Sequence, residues 1–384
     1  MSDTAIGRDF SEVTQTGPGT LAGRYLRSFW LPVLLSEQLP AGRARPLRIM
    51  SEDFAVYRGQ DGRAQVLAPF CPHRGTQLST GWVEGNALRC FYHGWKFGAN
   101  GRCVEAPAEH DGFAATVKIR SYPTEEYKGL IFAFLGEEGA APPFPCYAAL
   151  EGEGRIETSV YERGCNFFNS IENQCDPVHV AFTHRVSAFT EGGLIGVPQV
   201  AAEETNWGLA VTATRQGVGA RITQIGMPNM LHIRMAPSTP GAEWGDMFAW
   251  RTPIDDNSHL GFNVWLHRDG GAQRQRTEKR GTNSPINSMS VRDVGIAFRR
   301  GDLTHDDVRD HPDLIGIQDD IVQVGQGVVA NRAAERLGRS DVGVALVRKL
   351  WLRELHALES GQPLKAWQWG PTLTATSGTS AAAE

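Results

Sequence analysis

The sequence predicts an α+β protein: a small all-β module followed by a larger part built on an antiparallel sheet flanked by helices. Three observations carry that expectation. Short β-rich runs alternate with turn residues across 47–134, a stretch rich in Gly, Ala and Pro interrupts the pattern at 136–154, and period-two runs give way to helical periodicity beyond it.

Residues 1–20 are polar and contain glycine, and 21–35 turn apolar and aromatic around Arg24, Tyr25, Phe29 and Trp30. We therefore expect an N-terminal segment, 1–40, that packs against the body. In the β module, 41–140, the runs Phe54-Ala55-Val56-Tyr57 and Ala64-Gln65-Val66-Leu67 flank Asp61-Gly62, which reads as a hairpin. Pro142, Pro143 and Pro145 make the following stretch a connection, and the domain boundary is placed there. The second domain, 150–369, should open with a strand over 156–161 and a helix over 165–182. Antiparallel strands should then fill 200–267, where Leu209–Val211 and Phe262–Val264 alternate. The polar run 268–284 reads as a mobile surface loop, with two helical patterns beyond it. In the second of these, Val344, Val347, Trp351, Leu355 and Leu358 recur at three- and four-residue steps behind Ser340, a candidate cap. The tail 370–384 is small and polar and is expected to be disordered.

A chain of 384 residues is long enough for two domains. Its 38 basic residues against 43 acidic ones give a charge of -5 without any basic run, which argues against nucleic acid and anionic membranes as partners. No stretch has the apolar length of a secretory signal or a membrane span, so a cytoplasmic protein is expected. The six cysteines, at 71, 90, 103, 146, 165 and 175, are too sparse for a disulfide scaffold, and metal ligation is the better use for any that cluster with histidine.

Two of them do. Cys71-Pro72-His73-Arg74-Gly75 and Cys90-Phe91-Tyr92-His93-Gly94-Trp95 each supply one thiolate and one imidazole. Four such ligands could hold tetrahedral zinc. They also suit two apposed loops gripping a [2Fe–2S] cluster, in which two neutral histidines lower the negative charge and raise the potential. Further on, Asn173, Asp176 and His179 follow at three-residue steps, the spacing of one helical face, and His184 lies five beyond His179. Five residues is about 140° around a regular helix, so the helix must end or distort, near Phe182-Thr183, for both rings to reach one metal.

The first pair of motifs resembles the Rieske motif. Asn-x-x-Asp-x-x-His-x4-His resembles the catalytic-iron segment of the Rieske non-heme iron oxygenases, and the resemblance covers most of the chain, weakest over 195–290. It implies a [2Fe–2S] cluster on Cys71, His73, Cys90 and His93, and a mononuclear Fe(II) on His179, His184 and a carboxylate, with O2 as co-substrate. The run Gly316-Ile317-Gln318-Asp319-Asp320-Ile321-Val322-Gln323 resembles the Gln-Asp segment of the phthalate dioxygenase-like branch. That makes Asp319 the ligand, with Asp320 as an adjacent competitor pointing about 100° away. The resemblance further implies that Asp176 bridges His93 of one subunit and His179 of the next in a ring-shaped trimer, with Asn173 a hydrogen-bonding neighbour.

Gly17-Pro18-Gly19-Thr20 before Arg24 and Trp30 is similar to the phthalate dioxygenase-like and aromatic O-demethylase oxygenases. This implies an oxygenase component acting on an aromatic substrate by O-demethylation or ring hydroxylation. A methylated amine is the alternative substrate. Electrons would come from NAD(P)H through a separate flavin/iron-sulfur reductase or a ferredoxin, because the chain carries no Gly-x-Gly-x-x-Gly fingerprint. Outside this class, the competing readings are a Rieske electron carrier and a zinc-stapled binding module. Trp207, Trp250 and Trp265 are left without a role.

Overall fold

Apolar residues at every second position favour strands that bury one face, and short turns between successive strands return the chain antiparallel. In the computed structural model, which describes residues 10–187, 196–235, 243–268 and 285–368, this produces one seven-stranded antiparallel sheet. Its order is Arg155–Arg163, His259–His267, Gly245–Pro253, Met230–Met235, Gly219–Gly226, Gly208–Arg215 and Gln199–Glu204. The 269–284 run and the tail from 370, expected to be mobile and disordered, lie outside the described residues.

Alternation along Gly245–Pro253 shows what each face covers. Phe248 and Trp250 point to one side, into a core with Trp30, Phe132 and Tyr147. Ala249 points to the other, into a core with Phe167, Phe168, Ile171 and Trp351. Helices therefore lie on the second face, and the first is closed by the connection and the N-terminal part of the chain.

The β module consists of small sheets. Ala44–Ile49, Glu52–Arg58, Ala64–Leu67 and Ser121–Tyr122 form one, with the expected hairpin turning at Gly62 (φ 84°). Trp82–Glu84, Ala87–Arg89, Lys96–Phe97 and Cys103–Glu105 form another. Tyr57, Leu67, Leu78, Leu88, Trp95 and Phe97 pack between them. In a third sheet Trp30–Leu35, inside the segment expected only to pack, pairs with Leu130–Phe134.

The expected helix over 165–182 is two helices. Phe167–Gln174 starts at Asn166, whose side chain accepts from the Phe168 N–H at 3.1 Å while its amide donates to the Thr14 and Asp256 carbonyls. The chain then leaves helical pairing through Cys175-Asp176-Pro177 and resumes at His179–Thr183. Proline disfavours helix at the residue before it and supplies no N–H, which accounts for the interruption. The face expected to carry Asn173, Asp176 and His179 together is thus broken, and a turn rather than helical periodicity places His179.

On the first of these helices Glu172 is buried, pairing with Arg332 at 2.8 Å and Arg348 at 2.5 Å. Three longer helices follow: Val291–Arg300, Leu314–Gly325 and Val342–Glu359. The last buries Val344, Val347, Trp351 and Leu355 as its spacing predicts. Its N-cap, however, is Asp341 rather than Ser340, and the Asp341 carboxylate reaches back to the Gly338 N–H. Among the described residues no helix is long and apolar enough to cross a membrane.

Candidate functional site

The two Cys/His loops share one backbone frame. In the first, the Cys71 N–H donates to the Thr76 carbonyl (2.8 Å) and the Gly75 N–H to the Cys71 carbonyl (2.9 Å). In the second, the Cys90 N–H donates to the Trp95 carbonyl (2.8 Å) and the Gly94 N–H to the Cys90 carbonyl (3.2 Å). Each frame turns through a left-handed glycine, Gly75 at φ 72° and Gly94 at φ 76°, a conformation that a side chain resists. The loops face one another, with the His73 and His93 rings 4.4 Å apart. Trp95 is buried and stacks flat on His73 at 4.7 Å, whereas Tyr92 lies against His93 and remains half exposed.

Two observations test whether these residues suit a metal cluster. His73 Nδ1 is buried with no hydrogen-bond partner, an expensive arrangement unless the nitrogen has another use. Burial, joined by the neighbouring Cys90 and Cys103, pushes the Cys71 thiol up to about 11, so its proton is one that a metal would have to displace. One thiolate and one imidazole come from each of two apposed loops, a donor set that suits [2Fe–2S], with the cysteines on one iron and the histidines on the other.

A second group is His179, His184 and Asp319, with donor atoms all within 4.8 Å of one another. His179 opens its short helix and His184 stands just past the end, at φ -101°, ψ 15°, so the helix stops where the five-residue spacing requires. The His179 Nδ1–H donates to the Asp176 carbonyl, and the His184 Nδ1–H to Gln318 Oε1 at 2.9 Å. Both rings therefore present Nε2, and His184 Nε2 stands 3.6 Å from Asp319 Oδ1.

Burial lowers the pKa of both imidazoles. His179 ends below its ordinary value, while in His184 the adjacent Asp319 carboxylate outweighs burial and raises it. Burial would raise Asp319, but the His184 hydrogen bond and the nearby Arg163 charge hold it below the usual carboxylate range. Two imidazoles and an ionised carboxylate suit a divalent iron, with room for other ligands.

Other residues singled out from the sequence fall on both sides of this centre. Asn173 donates to Asp319 Oδ1 at 3.3 Å. Asp320 is buried and committed to Arg299 at 2.7 Å, which separates it from Asp319 although they are neighbours in sequence. The Asp176 carboxylate accepts from the Val178 N–H, so within one chain it is the carbonyl of Asp176, not its carboxylate, that holds His179. Trp250 lies on the opposite face of the sheet, between Phe132 and Tyr147. The contact of Gln318 with His184 has no signal in the sequence beyond its place beside Asp319. Beneath the helices, Tyr161 is flanked by two buried guanidiniums, Arg163 at 5.0 Å and Arg251 at 5.5 Å.

Residues 29–123 match the family model for the Rieske [2Fe-2S] domain. The chain is 33% identical to the tert-butanol monooxygenase / tert-amyl alcohol desaturase oxygenase subunit of Aquincola tertiaricarbonis, over 88% of this chain and 75% of that protein. It is 31% identical to the phenoxybenzoate dioxygenase subunit alpha of Ectopseudomonas oleovorans, over 92% and 87%. It is 29% identical to the 5,5'-dehydrodivanillate O-demethylase oxygenase subunit of Sphingobium sp., over 92% and 81%.

Among solved structures, the fold is that of Pseudomonas putida CBB5 NdmA with caffeine, at TM-score 0.66 and 21% identity over 88% of this chain and 93% of that one. It is also that of the oxygenase in the reduced oxygenase–ferredoxin complex of carbazole 1,9a-dioxygenase, at TM-score 0.63 and 21% identity over 94% and 98%. With the twin Cys/His loops and the extent of these relationships together, the chain belongs to the Rieske non-heme iron oxygenases, as an oxygenase component related to the phthalate dioxygenase and aromatic O-demethylase subunits.

Proposed function

We propose that this oxygenase component oxidises an aromatic substrate with O2, by O-demethylation or ring hydroxylation, at a mononuclear iron held by His179, His184 and Asp319. Its electrons would pass through a [2Fe–2S] cluster on Cys71, His73, Cys90 and His93. The observation that carries this reading is the convergence of the two histidines and Asp319 within 4.8 Å, in a chain of this family. Iron(II) bound there with one face open would supply the activation of O2.

The protein's own part is positional. The Asp176 carbonyl and Gln318 fix the ring tautomers, Asn173 steadies Asp319, and Arg299 keeps Asp320 out of the centre. For a methoxylated ring the balance is ArOCH3 + O2 + 2 electrons + 2 H+ giving ArOH + HCHO + H2O. For ring hydroxylation the same electrons and protons yield ArOH and water from ArH.

The electrons come from NAD(P)H through a separate reductase or ferredoxin, in keeping with the ferredoxin bound to the carbazole enzyme. The Asp176 carboxylate is half buried and its own carbonyl touches His179. In the trimeric ring we propose, His93 of the partner subunit would reach that carboxylate and stand one residue from the iron. We place the protein in the cytoplasm. We divide the chain as an N-terminal segment 1–40, a Rieske domain 41–140 and a catalytic domain 150–369.

A second reading has its own support. The relative named for tert-butanol is 33% identical, and the caffeine-bound structure shares the fold, so a non-aromatic substrate or a methylated amine stands as the alternative.

O2 uptake with a surrogate reductase and NADH, measured across paired methoxylated and unmethoxylated aromatic acids with a formaldehyde assay, tests the proposal. Uptake matched by formaldehyde assigns O-demethylation, and uptake without it assigns ring hydroxylation. If aromatics leave uptake at its basal rate while a tertiary alcohol or a methylated amine raises it, the aromatic reading is wrong.

A further inference from the structure

From Asp319 Oδ1, the oxygen nearest His184, a chain of buried polar groups runs across three elements. Asp319 Oδ1 accepts from Gln323 Nε2 at 3.2 Å, one helical turn further along Leu314–Gly325. The Gln323 side-chain carbonyl in turn accepts a short hydrogen bond from the Ser170 hydroxyl, on Phe167–Gln174. Ser170 Oγ, its proton given to Gln323, accepts from the His259 Nε2–H at 2.9 Å, at the start of His259–His267, and His259 Nδ1 lies 2.8 Å from the Cys165 carbonyl oxygen. None of Ser170, His259 and Gln323 is more than 3% exposed.

A polar chain this deep is costly unless each member is satisfied, and an apolar trio would fill the same space more cheaply. Plain packing therefore does not account for it. The chain has a direction: a carboxylate can only accept, so Gln323 must turn its NH2 toward Asp319 and its carbonyl toward Ser170. Its outer end, His259, belongs to a strand of the sheet, so the carboxylate is referenced to the scaffold and not merely to its own helix.

We propose that Gln323, Ser170 and His259 form a strut that holds the Asp319 carboxylate turned toward His179 and His184, making these three residues positioning residues of the iron centre. The inference rests on the reading of His179, His184 and Asp319 as an iron site. Asn173 donates to the same Asp319 oxygen from the other helix, so Oδ1 is held from two directions. Without the strut Asn173 is left to hold Oδ1 from one direction, and the third ligand is less firmly in place before the metal arrives. Partners of this kind behind a ligand alter metal affinity by about 10- to 100-fold.

The test uses the full-length protein with its cluster in place. Ser170→Ala and Gln323→Leu each break the chain, and Ser170→Thr keeps the hydroxyl. Three quantities are read: the Fe(II) dissociation constant of the iron-depleted protein, the electron paramagnetic resonance spectrum of the nitric oxide adduct of that iron, and cluster absorbance as a control for folding. Both breaking variants should bind Fe(II) about 10- to 100-fold more weakly, with an altered nitric oxide spectrum and normal cluster absorbance, and Ser170→Thr should return toward wild type.

Wild-type affinity and an unchanged spectrum in both breaking variants would overturn the strut while leaving the iron site intact. If instead the wild-type protein binds no Fe(II) that His179→Ala abolishes, the site reading itself fails and takes the strut with it.

Discussion

The β module and the catalytic sheet assemble their ligands in opposite ways. Cys71, His73, Cys90 and His93 lie within one short stretch of sequence, on two loops whose backbone hydrogen bonds repeat one another. His184 and Gln318 are 134 residues apart, and Asn173 and Asp319 146 apart, and only the packing of two helices over the sheet brings them together. The first site is written in local turns and depends little on the rest of the chain. The second exists only when the whole larger domain is folded, so its weakest points are the contacts that dock its helices.

Substitutions can break this contrast at graded levels. The largest effect is expected at the ligands: His179→Ala should abolish mononuclear iron and lower turnover by on the order of 1000-fold or more, about 4 kcal/mol of transition-state stabilisation, with cluster absorbance unchanged. Cys71→Ser should show the converse, losing the cluster absorbance. Metal analysis with single-turnover kinetics separates the two, and loss of both metals in either variant would mean that the sites are not independent.

Next comes the docking of the Phe167–Gln174 helix. Glu172→Ala leaves Arg332 buried without a carboxylate and Arg348 with Glu335 alone, and should cost about 3–5 kcal/mol, read by denaturant unfolding. Iron should be lost at lower denaturant than the cluster, and coincident loss would contradict the contrast. A subtler pair separates the adjacent acids. Asp319→Asn should lose iron, whereas Asp320→Asn should keep it and lose only the contact with Arg299.

The smallest effects concern the twin loops. Alanine at either left-handed glycine should cost about 1–2 kcal/mol of backbone strain. The two should cost about the same, because an added Cβ makes only an ordinary 3.4 Å contact with Pro107 at Gly94 and meets nothing at Gly75, which leaves the left-handed backbone as the shared cause. Thermal unfolding followed at the cluster absorbance checks that the two losses match.

The same contrast explains what could be read in advance. Cys71-x-His73 and Cys90-x-x-His93 were legible because ligand spacing within a loop is a local property. Strand alternation was equally local, and the antiparallel sheet over 200–267 followed from it. Asp319 could be named only through resemblance, since nothing in two adjacent aspartates tells which one faces a metal and which one meets Arg299. The break before His179 had a signal, Pro177, that helical periodicity on either side of it masked. The cap at Asp341 rather than Ser340 is a one-residue matter of where the short turn Arg339–Asp341, closed by Asp341 on the Gly338 N–H, gives way to the helix. Ser170, Gln323 and His259 carry no pattern, because their contact is created by three elements meeting in the interior.

The matched frames of the two Cys/His loops have a consequence for engineering. Each turn is held by main-chain bonds from its cysteine and its left-handed glycine, yet the histidine stands two residues after Cys71 in one and three after Cys90 in the other. The shape of the socket is thus set independently of which ligand it presents and where. An engineer wishing to shift the midpoint potential can exchange His73 or His93 for a thiolate as one would change a fitting in a fixed bracket, without redesigning the bracket.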